Sequence, residues 1–569
     1  MTSRDNPEFE HDIDRFIDAE SAADPINKAT YLGRDGFDDR LADMSATGLA
    51  QAASDHQAWQ AEFARFSDAV LTPAERIDRD LALAHLARLR ITDEWQPWRI
   101  NPLLYLDASD GALAIFLMGG HTEQTQVDNA IARLDGVRGV LAAGIANLTP
   151  STADPVLVEM AAQQATSSAT FARNDLLAMV TDPAQRARMQ PAAERAAQAY
   201  EGFATFLTGL QPLARGSGLI GKQRYTDILT KGELLGLTAD QLRTRAQTEL
   251  TTLVTDMEQL SSQISGSPDW RSLISTLQQE HAADPDGVRA AYEVATKFAR
   301  DFFFGHALGS PVPGERVSIE PEPLPWRAAV QVAMYIAAPM FKPSRHGRFF
   351  VPYPMDPKDK TATQGILEDN SDYVIPTTAV HEVYPGHHWH LVNVAGSRLL
   401  RRVLQSDYFV EGWALYAEQM MRNEGFFAAL DKHFDPKDKV GLKAEFGQVQ
   451  MRAFRAARII VDIGLHSGDM TVDQSVDFMK QYAGLPEPIA IAEVKRYRNW
   501  PTQASAYLTG AMAIGDMWTQ YDAKHPRMDH VSKLRAFHDA LVHSGQMPLG
   551  LAARAIGLGA ATDGPGLGA

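Results

Sequence analysis

The sequence predicts a mainly α-helical fold with one small β-sheet. Apolar residues recur at helical spacing over most of the chain, and capping signatures open several of these segments. Residues rich in β-branched and aromatic side chains concentrate in one stretch, about 317–353.

The first periodic segment covers about 37–65. Thr72-Pro73-Ala74-Glu75 then sets a capping threonine, a proline at the first helical position and a glutamate three residues after the cap. The apolar-periodic run IDRDLALAHLARLRI follows it. Helical periodicity returns at about 125–147, 155–180 and 190–210. Thr238 with Gln241 opens LRTRAQTELTTLVTDM as a second capping box, and 286–305 comes next. The strand segments are Val317-Ser318-Ile319, AAVQVAMYIAAP and GRFFVPYP. An edge strand here would suit an extended substrate by β-augmentation, and a sheet that only packs is the plain alternative. Beyond it, 444–464, the pair Thr471/Gln474 ahead of SVDFMKQYA, 502–522 and 529–543 complete the helices. Segments 212–224 and 306–325 are rich in Gly and Pro and suit hinges or ordinary loops. The expected organisation is an N-terminal helical region 1–210, a second helical region 211–556 and a flexible tail 557–569, with one continuous domain as the alternative.

Composition bounds the function. A formal net charge of −17 speaks against a nucleic-acid partner, which needs Lys and Arg in excess, and against an anionic membrane surface. The chain has no cysteine, so thiol catalysis, disulfides and cysteine metal sites are excluded. Any transition metal must sit on His and carboxylate. The first residues, MTSRDNPEFEHDIDRFIDAE, lack a basic n-region and an apolar h-region, and no stretch reaches the roughly 20 apolar residues of a membrane span. The expected location is cytoplasmic.

The chemistry concentrates in TTAVHEVYPGHHWHL. His381-Glu382 opens like the H-E-x-x-H zinc motif, in which two histidines four apart share a helix face and the glutamate is a general base. Position i+4 is Pro385, and the next histidines are His387 and His388. On a straight helix His388 would lie about 10 Å along the axis from His381, too far for bonds of about 2.0–2.1 Å to one ion. Pro385 removes a helical donor, biases Tyr384 away from helical dihedrals, and Gly386 is free to adopt positive φ. The helix should therefore bend and fold His387 back, making it the second ligand, with His388 as ligand or supporting group in reserve.

A third ligand comes from YFVEGWALYAEQMM, where Glu411 and Glu418 lie seven apart on one helix face. Glu411 is the expected ligand and Glu418 a supporting or ion-paired group. Zn2+ is the expected ion, with Co2+ and Mn2+ also compatible with such donors. Two further segments offer auxiliary groups. RAFRAARIIVDIGLH aligns Arg458, Asp462 and His466 on one stripe, to orient a ligand, bind substrate or form an ion-pair ladder. VKRYRNWPTQASAYLTG carries Arg496, Gln503 and Tyr507: a tyrosine phenol can stabilise an oxyanion, and Arg496 or Arg455 can bind a substrate carboxylate.

HEVYPGHH, VEGWALYAE, RAARIIVDIGLH, RYRNWPTQASAYLTG and the upstream GKQRYTDILTKGELLGLTADQL resemble the bacterial family known as domain of unknown function 885, over roughly residues 215–545. That family resembles the carboxypeptidase Taq group of gluzincin-like peptidases. The resemblance implies a two-lobed helical body with a deep groove and a metal at its base. It matches His381 to the first ligand, Glu382 to the base, Glu411 to the third ligand and Tyr507 to the late tyrosine. The second ligand is where the pattern departs from H-E-x-x-H. The expected function is hydrolysis of peptides by metal-activated water, with an amidase or esterase of small molecules, or an inactive metal-stabilised binding protein, as alternatives. The expected partner is a peptide or small amide.

Overall fold

The computed structural model describes residues 5–324, 327 and 332–559. Its chain is mainly helical with a single three-stranded sheet among the described residues, as the periodicity predicts. Internal contacts divide it into two units: Met1–Ile220 with Pro339–Ser344, and Gly221–Ala338 with Arg345–Ala569.

In the first unit, helices Glu123–Asn147, Pro155–Arg173 and Pro183–Leu210 pack around a core that includes Leu134, Val137, Leu141 and Phe203. Ala161, Ala165 and Ala169 on one helix and Ala192, Ala193, Ala196 and Ala197 on another are buried within it. Small side chains at helical spacing let backbones approach closely, which is what an alanine seam supplies. The Thr72 capping box forms as read: the Glu75 carboxylate accepts the Thr72 N–H at 2.7 Å, and Thr72 Oγ1 accepts the Glu75 N–H at 3.3 Å. Several expectations change: Pro155–Arg173 ends short of 180, Pro183–Leu210 begins before 190, and Leu103–Ser109 and Ala112–Met118 are further helices. The segment expected over 37–65 is helical only at Ala46–Ala64, because Ser45 caps the helix by accepting from Gly48 N at 3.0 Å. An unexpected helix, Pro7–Ala23, starts at Asn6, whose side chain accepts from Glu8 N and Phe9 N.

In the second unit, β1 (Arg316–Pro321), β2 (Met334–Ile336) and β3 (His346–Val351) form a sheet of order β1-β3-β2. β1 runs parallel to β3, and β2 runs antiparallel to it with Tyr335 opposite Phe349. Of the strand expected in AAVQVAMYIAAP, the described residues form β2; residues 328–331 of that segment lie outside those described, as does the tail from 560 onward. Six helices carry the polar motifs: α1 (Ile375–Glu382), α2 (His387–Val394), α3 (Asp407–Asn423), α4 (Val440–Ser467), α5 (Glu487–Asn499) and α6 (Gln503–Lys524). The crossing of α3 and α6 depends on two glycines, since a Cβ on Gly412 would stand 2.5 Å from Gly510 Cα. Among the described residues no helix is long and apolar enough to cross a membrane.

Candidate metal centre

The break expected at Pro385 is present. α1 ends at Glu382 and α2 begins at His387, with a cis peptide between Tyr384 and Pro385. Gly386 N donates to Val380 O at 2.9 Å and Trp389 N to Val383 O at 3.2 Å, so the turn closes on the end of α1. The role of Gly386 differs from the expectation. Its φ is −67°, not positive, and the reason for glycine is space: a Cβ there would run into the carbonyls of His381 and Val380. Trp413 on α3 donates its indole N–H to Pro385 O at 2.8 Å and pins the turn to the helix that carries the glutamates.

The turn brings His387 back to His381, their ring centroids 4.8 Å apart. Glu411 Oε2 lies 3.6 Å from His381 Nε2 and 3.5 Å from His387 Nε2. These spacings are long for hydrogen bonds. They match two edges of a tetrahedron of donors around an ion with bonds of about 2.0–2.1 Å, for which donors stand about 3.3–3.4 Å apart. Donor atoms of His381, Glu382 and His387 also lie within 4.8 Å of one another. Of the two carboxylates, Glu411 has the tetrahedral spacing to both imidazoles, while Glu382 Oε2 is engaged by the Tyr335 N–H at 3.0 Å. Glu411 thus has the geometry of a third donor, and Glu382 stands at its flank. Glu411 Oε2 is buried with no hydrogen-bond partner, as a cation-facing oxygen would be.

Glu418, almost fully buried, pairs with His381 Nδ1 through Oε1 at 2.7 Å. A carboxylate there fixes the ring's orientation and leaves Nε2 facing Glu411 Oε2. Electrostatics follow the geometry. Burial opposes a charged His381, but Glu411 and Glu418 outweigh it and hold its pKa well above the ordinary histidine range. Burial works to raise the Glu411 carboxyl, and the two histidines overcome it and hold the group far below its usual value. Burial pushes Glu382 up, with His387 and His381 opposing.

His388 is drawn away from this set. Its Nδ1 meets Tyr335 Oη at 2.9 Å and its Nε2 meets Glu315 Oε2 at 2.8 Å, so both ring nitrogens are used. Glu315 also accepts from Tyr384 Oη at 2.5 Å. This network joins β2, which holds Glu382, to the turn; Glu315 and Tyr335 carry no sequence signal that marks them. Burial, with the charge of Glu411 adding to it, pushes the Tyr507 phenol up to about 12. Its hydroxyl accepts from Gln503 Nε2 at 3.3 Å, and Gln503 in turn accepts from Arg496 at 2.7 Å. Arg496 also pairs with Glu493, so it orients Gln503 rather than lying free for a ligand.

Asp462 and His466 are fully buried and serve elsewhere. Asp462 accepts from Tyr225 Oη at 2.5 Å, the same hydroxyl that meets Ser505 Oγ at 2.7 Å. His466 Nε2 lies 3.0 Å from Tyr497 O. They tie α4 to α5 and to the start of α6, where Thr502 takes a φ of 73°. The stripe Arg458–Asp462–His466 is an interior seam rather than an exposed ladder: Arg458 pairs with Glu493 at 2.7 Å.

A family model of bacterial proteins of unknown function, DUF885, matches residues 27–556. No curated protein matches the chain. Among solved structures, a protein of unknown function from Shewanella oneidensis described as a lipoprotein superposes with a TM-score of 0.78 at 20% identity, covering 96% of this chain and 99% of that one. A second protein described as a lipoprotein, from Colwellia psychrerythraea, superposes with a TM-score of 0.79 at 17% identity, covering 96% and 98%. At such identities the likeness establishes the fold. The chain belongs to the DUF885 family, and the match reaches well beyond the 215–545 region that carries the motifs.

Proposed function

With membership of this family as the premise, we propose that the chain is a zinc-dependent hydrolase of peptide bonds, related in chemistry to the carboxypeptidase Taq group. The observation that supports it most is the placement of Glu411 Oε2 at 3.6 and 3.5 Å from two imidazole nitrogens, with a second carboxylate, Glu382, beside the set but outside it. A metal-stabilised binding protein has no use for that second carboxylate; a hydrolase needs it as a base.

His381, His387 and Glu411 would hold the ion, which when bound supplies Lewis acidity and a water whose pKa falls to roughly 7. The chain's own residues do the rest. Tyr335 N–H holds Glu382 Oε2, leaving the other carboxylate oxygen for the attacking water. Glu382, raised by burial, takes the water's proton and returns it to the leaving amine. Glu418 keeps His381 in one tautomer and orientation. Tyr507 remains protonated at neutral pH and donates towards negative charge developing on the substrate carbonyl oxygen.

Turnover of a mixed peptide library by wild type and Glu382→Gln tests this. The variant should keep its metal and lose activity by about 10²–10⁴-fold. Equal turnover in the two proteins would reject Glu382 as the base. The lipoprotein descriptions of both structural relatives favour the cell envelope over the cytoplasm expected from the sequence. Cell fractionation decides between them: recovery with membranes or periplasm supports the envelope, and recovery only in cytosol supports the first expectation.

A further inference from the structure

We propose that Glu315 is a positioning residue for Glu382, acting through His388 and Tyr335, an inference that rests on the hydrolase reading above for the role of Glu382 as base. The backbone N–H of Tyr335 grips Glu382 Oε2 at 3.0 Å, so whatever fixes Tyr335 fixes the carboxylate. The strand that carries Tyr335 is poorly suited to hold it alone. β2 has three residues, stands at the edge of the sheet and, among the described residues, pairs with β3 alone. A base has to be kept within about 0.5 Å of its working position, which asks for a second anchor.

The Tyr335 side chain supplies it. Its hydroxyl meets His388 Nδ1 at 2.9 Å, and His388 Nε2 meets Glu315 Oε2 at 2.8 Å. His388 is fully buried, and the Glu315 side chain is 4% exposed. Burial opposes the charge on Glu315, and hydrogen bonds from His388 and Tyr384 overcome it and hold its carboxyl below the usual value. A carboxylate only accepts, so His388 Nε2 carries the hydrogen that points at Glu315, and the ring is held in one orientation. Taking these groups out of water is costly, and apolar side chains of similar volume would pack at lower cost. Apolar contact has no direction, however, whereas a hydrogen-bonded chain fixes where the Tyr335 hydroxyl ends. A separate observation marks that place. Gly347 lies within β3, where glycine weakens a strand, and a Cβ there would stand 2.1 Å from Tyr335 Oη. The glycine leaves the hydroxyl room to reach His388. Glu315 directly precedes β1, and it also accepts from Tyr384 in the turn, so one carboxylate joins the sheet to the segment between His381 and His387.

Two measurements on the full chain test this. Crystal structures of wild type, Tyr335→Phe and Glu315→Ala read the position of Glu382 without regard to activity; Tyr335→Phe keeps the backbone N–H and removes only the hydroxyl. Both variants should show Glu382 shifted from Tyr335 N or in more than one rotamer, and an unchanged single conformer would overturn the assignment. Turnover of the peptide that wild type cleaves fastest in the mixed library reads the consequence. Both variants should lower kcat about 10–100-fold with KM and zinc content unchanged, and Glu315→Gln, whose amide oxygen still accepts, should lose less. Wild-type kcat in Tyr335→Phe, or a loss carried by KM or by released zinc, would equally overturn it and mean that the chain of groups only shapes the site. If Glu315→Ala does not fold, Glu315→Gln takes its place, with the same effect in smaller degree expected and wild-type behaviour in both measurements overturning the role of Glu315. A wild type without turnover removes the hydrolase reading, and the crystallographic comparison then still decides whether Glu315 and Tyr335 hold Glu382.

Discussion

Glu411 and Glu418 stand two turns apart on one face of α3, yet their surroundings give them different work. Glu411 Oε2 faces two imidazole nitrogens and Glu418 Oε1 faces the far side of one of the same rings. Glu418→Gln should therefore keep one zinc per chain while weakening its affinity about 10–100-fold, read by competition with a chelating dye. Unchanged affinity would mean that Glu418 does not orient His381. Asp462, whose hydroxyl partner is Tyr225, offers a pH test on a different group. Burial pushes its carboxyl up to about 7 against 3.8 for an exposed group. Between those values the folded state holds a proton that the unfolded chain releases, so this residue's contribution to stability falls as pH rises from about 4 to about 7. Asp462→Asn removes that dependence. Urea unfolding at pH 5 and pH 8 should show the variant losing less stability over this interval than wild type; parallel losses would contradict it.

At the scale of elements, two glycines decide geometry that side chains then use. A Cβ on Gly386 would enter the His381 carbonyl, so Gly386→Ala should open the turn and release zinc. Full zinc occupancy in that variant would show that the turn can shift without moving His387. Gly412→Ala would push against Gly510 where α3 and α6 cross, and overpacking of this kind costs about 1–3 kcal/mol in urea unfolding. Most of the elements were legible in the sequence because period, cap and proline signals coincide. Thr72, Thr238 and Thr471 all form the capping boxes their spacing announces. The misses have local causes. Ser45, not the apolar period, sets the start of Ala46–Ala64, and Pro7–Ala23 escaped because its acidic residues mask its apolar face.

At the scale of the whole molecule, the sequence showed which residues meet at the centre but not what surrounds them. His381, His387 and Glu411 are separated by turns whose direction Pro385 and the helical period make readable. Tyr335 on β2 and Glu315 reach the motif only through tertiary packing, and no spacing rule links position 335 to Glu382. The same limit left Arg455 and Arg496 undivided, because only their partners tell them apart. All of these groups lie in the second unit. Zinc bound there should stabilise it by mass action, so chelation should speed amide exchange across 375–423 and leave the alanine seam helices of the first unit unchanged. Equal effects on both units would argue that the ion stabilises the chain globally. Metal content of purified wild type beside Glu411→Ala is the decisive measurement for a zinc centre on His381, His387 and Glu411. Wild type should hold about one zinc per chain, and the variant should lose it. A wild type that holds no zinc and takes up none when it is added would mean that these residues form no metal centre.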